Sequence, residues 1–216
     1  VSSEATSEGP ILALVTCGPQ LEVALGTGSG APASIVRLTG PSRRSTLVMA
    51  AVDLLVEDAG IEPGDLALIA VTRGPGSFTG IRSGLATAQG LAAGLGRPIV
   101  ALDSLLVQAA RARRGSGTVW AAQPGRRGQV YAANWDVGEG PIPTSAGEVE
   151  IVDVERAADR GPWIAAESID LGDARRVIPV RTAAEALLGL VAEGCPGEAA
   201  EPKYIEGPPV HHPPKP

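Results

Sequence analysis

The stretch from Val71 to Leu95, VTRGPGSFTGIRSGLATAQGLAAGL, constrains the fold of this chain more than any other segment. An apolar, β-prone run over Leu66–Thr72 leads into it. The loop Arg73–Arg82, RGPGSFTGIR, comes next, and a helix over Phe78–Leu95 is stopped by Gly96 and Pro98. Strand, glycine-rich turn and helix in that order make an α/β unit. Gly74, Gly76 and Gly80 permit close backbone approach, and Pro75 stiffens the loop. Ser77 or Thr79 can cap the helix, whose N-terminus can attract an anion. Read alone, the loop is equally an anion nest or a tight turn with no ligand.

The helix behind the loop has an unusual composition. Ser83–Gly96 contains no charged residue and carries Gly84, Gly90 and Gly94. Each interior glycine costs roughly 1 kcal/mol relative to alanine. Ala86, Gly90 and Gly94 recur every fourth residue, as do Gly84, Ala88 and Ala92. The preceding helix, expected over Ser45–Ala59 with Ser45 as cap, is apolar around most of its circumference. Leu47, Val48, Met49, Val52, Leu54, Leu55 and Val56 leave only a narrow strip of Asp53, Glu57 and Asp58. Helices of this kind are buried on more than one side. One side would meet their own sheet; the other is expected to meet a partner through Val48, Val52, Leu55, Leu85, Ala88, Gly90 and Leu91.

Around this unit the chain reads as strands at Ile11–Thr16, Leu21–Leu25, Ala33–Leu38 and Ile99–Leu102, then a helix through Ala112 capped by Asp103 or Ser104. The opening strand–turn–strand pattern, ILALVTCGPQLEVAL, recurs as TVWAAQPGRRGQVYAANWD from Thr118. This predicts two duplicated lobes. Weaker strands are expected at Glu148–Val152, Trp163–Ala166 and Arg176–Ile178, and an amphipathic helix at Thr182–Glu193. The expected organisation is a disordered arm (1–10), a first lobe (11–105), a second, reduced lobe (106–195) and a Pro/Gly-rich tail (196–216).

Composition removes several chemistries. The two lysines, Lys203 and Lys215, and the two histidines, His211 and His212, all fall in the tail. A P-loop lysine, a Schiff base, a Ser–His–Asp triad and a histidine-ligated metal are thus unsupported in the folded body. Cys17 and Cys195 lack a Cys-x-x-Cys partner and read as reduced, structural thiols. Net charge is −6, with scattered arginines. Arg111, Arg113 and Arg114 form the densest group, read as cations at a helix C-terminus in preference to an RNA contact. No membrane-spanning run or signal-peptide core is evident, so a cytoplasmic chain is expected. No catalytic residue, metal or cofactor is assigned.

Two enzymatic readings compete with a partner-docking one. Gly74-x-Gly76-x-x-x-Gly80 after a strand, with Asp103 ending the next, imitates the dinucleotide fingerprint of an oxidoreductase. The spacing is not that of the fingerprint, and the unit lies behind a hairpin. The recurring hairpins favour two duplicated α/β lobes over that unit, which leaves a kinase-like ATPase as the second enzymatic reading.

RGPGSFTGIR with its SGLATAQGLA helix, VDLLVEDAGIEPGDLALIAV before it, GRRGQVYAA and KYIEGPP together resemble the TsaB family of tRNA threonylcarbamoyladenosine biosynthesis proteins. The resemblance implies an actin-like (ASKHA) duplicated two-lobe α/β fold with a mixed sheet in each lobe. It further implies a non-catalytic subunit that pairs with a TsaD-type threonylcarbamoyltransferase through the two helices described above. A TsaE-type ATPase joins the assembly, tRNA is met only through the complex, and homodimers through the same helices occur. The family's hairpins carry Asp where this chain has Val15 and Pro124, and its helix entry reads His-Ser where this chain has Arg44–Ser45. Those departures make ATP hydrolysis by this chain still less expected.

Overall fold

In the computed structural model, residues 9–40, 46–166 and 168–206 are described. Arg44, Ser45, His211, His212 and Lys215, together with most of the expected N-terminal arm, lie outside them. Strands β1 (Ile11–Val15), β2 (Leu21–Gly26) and β3 (Pro32–Leu38) form an antiparallel meander. Strands β4 (Leu68–Thr72) and β5 (Ile99–Leu102) add in parallel beside β1, giving the order β3-β2-β1-β4-β5. β1 and β4 are buried along their whole length and accordingly read as unbroken apolar runs.

Helices α1 (Val48–Asp58) and α2 (Phe78–Leu95) cover one face of this sheet. Val48, Val52, Leu55, Ile81, Leu85 and Ala88 pack there with Leu12, Leu14, Val23, Ile69 and Val71. The opposite face, Ile11, Ala13, Ala24, Leu68 and Ala70, receives α4 (Ala183–Ala192), with Val107 of α3 (Ser104–Ala109) in the same cluster. Alternation of side chains along each strand therefore sorts residues between two helical layers. Thr182 and Glu185 form a capping box on α4, and the buried Glu22 carboxylate of β2 accepts the Ala184 amide at 2.9 Å.

The second sheet pairs β6 (Gly117–Pro124) with β7 (Gln129–Val137) as an antiparallel hairpin. β8 (Thr144–Ser145) and β9 (Glu150–Asp153) pair with β7, and β10 (Trp163–Ile164) runs parallel to β6. Both sheets are mixed, and the architecture is the expected actin-like duplicated fold. The strand expected at Arg176–Ile178 is reduced to a single bridge between Arg176 and Trp163. No helix among the described residues is long and apolar enough to cross a membrane.

Two details differ from expectation for physical reasons. Helix α3 ends at Ala109, and Arg111 turns inward. Its guanidinium donates to Gln108 Oε1 at 2.6 Å and to the Arg181 carbonyl at 3.2 Å, so it joins segments of the core instead of offsetting a helix dipole. Residues 196–206 lie along the body as a strap. The Glu198 amide donates to the Ala101 carbonyl beside β5, and the Lys203 amide donates to the Arg73 carbonyl.

Candidate functional site

The loop from Arg73 to Arg82 sits where the first hairpin, α3 and the strap converge. The Ser77 amide donates to the Cys17 carbonyl at 2.8 Å, and the Ser104 amide donates to the Gly74 carbonyl at 2.9 Å. The Ser104 hydroxyl donates to the Pro75 carbonyl, and the Gly74–Pro75 peptide is cis. Gly76 has φ +147°, and a Cβ there would overlap the Cys17 carbonyl oxygen. Glycine is thus required both by conformation and by close approach. Of the two cap candidates, Ser77 serves: its hydroxyl accepts the Gly80 amide at 3.2 Å. The Ser77 and Gly80 amides are thereby used within the protein, which favours the structural role of the loop over an anion nest.

Arg73 does not face solvent alone. Its guanidinium pairs with Glu198 and donates to the Glu201 carbonyl at 2.9 Å. Lys203 pairs with Asp103, whose other oxygen accepts the Leu105 and Leu106 amides as the N-cap of α3. Two sequence expectations change here. A lysine of the tail does reach the folded body. Asp103, the candidate ribose carboxylate of the oxidoreductase reading, is buried and already occupied by a helix terminus and an ammonium group.

A cavity of about 460 Å³ opens beside the first hairpin turn, lined by Thr16, Gln20, Ser77, Thr79, Ser83 and Pro124 among others. No carboxylate or lysine is among its described lining residues. The positions that the kinase-like ATPase reading needs to be acidic are Val15, the buried last residue of β1, and Pro124, the last residue of β6. Thr16 Oγ1 and Gln123 Oε1 are buried there without a hydrogen-bond partner among the described residues. Burial pushes the Cys17 thiol up to about 12, so it is not a nucleophile at neutral pH. The described residues hold no group of three or more His, Cys, Asp and Glu side chains that could bind a metal ion.

The expected docking residues divide between two sides. Val48, Val52, Leu55, Leu85 and Ala88 are buried against their own sheet, and Leu91 is half-buried on that core. They cannot be the outer surface, because a sheet with α1 and α2 on one face needs those apolar stripes for its own core. Gly90 alone of the set is exposed. The outward residues of the pair include Met49 (43% exposed) and Leu54 (55%), which sequence reasoning placed on α1 without choosing a side, and Ala86, Gly90 and Gly94, with Asp53, Glu57, Asp58 and Gln89 exposed among them. A Cβ added at Gly90 or Gly94 would meet nothing within 4 Å.

Comparison with known proteins gives this geometry a setting. The family model for TsaD, tRNA N6-adenosine threonylcarbamoyltransferase, matches residues 42–167. The chain belongs to that family. Within the TsaD family it is a TsaB-type member. It is 44% identical over 87 residues to the tRNA threonylcarbamoyladenosine biosynthesis protein TsaB of Bacillus subtilis, covering 40% of this chain and 38% of that one. With TsaB of Escherichia coli it shares 36% identity over 104 residues, 47% of this chain and 45% of the other. The match thus spans less than half the length of these TsaB relatives. YeaZ from Pseudomonas aeruginosa superimposes with a TM-score of 0.72 at 27% identity, covering 91% of this chain and all of that one.

Proposed function

We propose that this chain acts in tRNA threonylcarbamoyladenosine biosynthesis as a non-catalytic cytoplasmic subunit that docks onto a TsaD-type threonylcarbamoyltransferase. The outer face of α1 and α2 is the docking surface. The observation that carries this reading is Gly90, held in the interior of an 18-residue helix with open space around it and followed in the last turn by Gly94, which is equally open. No described residue comes close enough to require a glycine at either position, and Gly90 in the helix interior costs roughly 1 kcal/mol against alanine. A helix backbone approaching from outside explains both. Exposed Met49 and Leu54 of α1 supply apolar area, as an interface core requires. The TsaB names of the relatives and the TsaD-family match point to the same partner. A TsaE-type ATPase is the third component, and the same face can serve a homodimer.

The test is to mix the full chain with the TsaD-type subunit of the same organism and follow co-elution. A stoichiometric complex, with neither threonylcarbamoyl transfer nor ATP hydrolysis by the isolated chain, supports the proposal. Failure to co-elute, or turnover by the chain alone that is lost on Gly76→Val, overturns it.

A further inference from the structure

A second cavity, of about 470 Å³, lies on the other side of the motif loop. Three separated segments enclose it: Pro75–Phe78 and Ile81 of the first lobe, the 124–126 turn with Tyr131 of the second, and residues 203–206 of the strap. The chain has one phenylalanine and two tyrosines, and all three line this space. Phe78 and Tyr204 stack with ring centroids 5.1 Å apart at 29° and stay 38% and 40% exposed. The Arg82 guanidinium lies 4.9 Å from the Phe78 ring centroid. Half-exposed stacked rings of this kind are not explained by packing of the core.

Glu206 accepts from the Tyr131 hydroxyl at 3.1 Å and pairs with Arg126 at 3.1 Å, using one carboxylate oxygen for both. Among the described residues the second oxygen and the remaining Arg126 N–H groups have no partner, which leaves them to address a ligand edge that has both donors and acceptors. Arg82, over the Phe78 ring, and the exposed Arg127, next in sequence to Arg126, have no carboxylate partner among the described residues, whereas Arg73, Arg126 and Lys203 do.

An aromatic stacking wall, a mixed donor–acceptor edge and flanking unpaired arginines are the elements by which proteins hold unpaired nucleotides. We propose that this cavity binds a nucleobase of single-stranded RNA, with Arg82 and Arg127 meeting the adjacent phosphates. This rests on the reading of the chain as a tRNA-modification subunit and deepens it: the chain supplies an RNA contact of its own instead of meeting tRNA only through its partner. The free Glu206 oxygen favours bases that carry an exocyclic amine over uracil.

The experiment titrates the full chain into a labelled, adenosine-rich single-stranded oligoribonucleotide and reads anisotropy. Expected are binding that weakens as salt is raised, a weaker response to a uridine-rich oligomer, and no competition by duplex RNA. Tyr204→Ala and, independently, Arg127→Glu on the exposed turn should each weaken binding about tenfold. Tyr204→Phe, which keeps the ring, should bind as the parent does. No binding, or binding indifferent to both Tyr204→Ala and Arg127→Glu, overturns the proposal. So does equal affinity for AMP alone, which would make this a free-nucleotide site. Tyr204→Ala should still co-elute with the TsaD-type subunit and Gly90→Arg should still bind the oligomer, so failure of the RNA site and failure of the docking reading are separately visible.

Discussion

Lys203 and Asp103, 100 residues apart in sequence, form an ion pair that fastens the C-terminal strap to the N-terminus of α3. Asp103 serves two structures at once, since its other oxygen receives the Leu105 amide at 2.6 Å. The pair adjoins the Arg73–Glu198 contact, so the strap is held at both ends of its passage over the motif loop.

Lys203→Ala should therefore release the strap and lower stability by about 1–2 kcal/mol, the range for a hydrogen bond to a charged group with partial exposure. Asp103→Ala should be worse by roughly 1 kcal/mol, because it also removes a helix cap. Denaturant unfolding gives the energies. Amide exchange over residues 198–206 should speed up in Lys203→Ala and leave β1 and β4 unchanged; uniform protection of the strap in that variant would refute the fastening role.

At Gly76 the expected effect is larger. Valine there meets an unfavourable φ of +147° and overlaps the Cys17 carbonyl, so Gly76→Val should lose about 3 kcal/mol or more and displace the start of α2. Thermal unfolding measures it. An unchanged melting temperature combined with lost binding of a nicotinamide cofactor would revive the oxidoreductase reading.

The Cys17 thiol sets an alkaline dependence. Burial raises its pKa from 9.0 to about 12 in the folded protein, so the folded state keeps its proton where the unfolded state loses it. The stabilisation from this group is complete below about pH 9 and is lost as pH rises from there toward about 12, at most about 1.4 kcal/mol per pH unit. Urea unfolding at stepped alkaline pH should show this decline in the parent and a shallower one in Cys17→Ala. Equal slopes would show that the thiol is not buried as described.

Elements with their own periodicity were legible in the sequence. β5 and α2 fall on the expected residues, and the hairpin repeat led to the two mixed sheets. Legibility failed where partners are distant. Nothing local to Lys203, Glu198 or Tyr204 signals Asp103, Arg73 or Phe78, since no period or cap links segments so far apart. Arg111 read as a surface cation because its acceptors, Gln108 and the Arg181 carbonyl, are brought to it only by the fold. On α1 and α2 the apolar pattern ran nearly all round, so it could not separate the sheet-facing Val48, Val52, Leu55, Leu85 and Ala88 from the outward Met49 and Leu54. The glycines at 90 and 94 were the better markers, because a small residue with no internal reason to be small points outward.

Gly90→Arg tests the docking surface most directly. The position is open, so the isolated variant should fold and melt within about 1 kcal/mol of the parent. Against a partner helix the same side chain blocks approach and buries an unpaired charge, a penalty of several kcal/mol if the site is desolvated. Titration calorimetry of the folded variant with the TsaD-type subunit is the measurement. Loss of detectable binding, with threonylcarbamoyladenosine falling in tRNA from cells that depend on the variant, is the expected result. Unchanged affinity of folded Gly90→Arg for that subunit would contradict the assignment of α1 and α2 as the docking face.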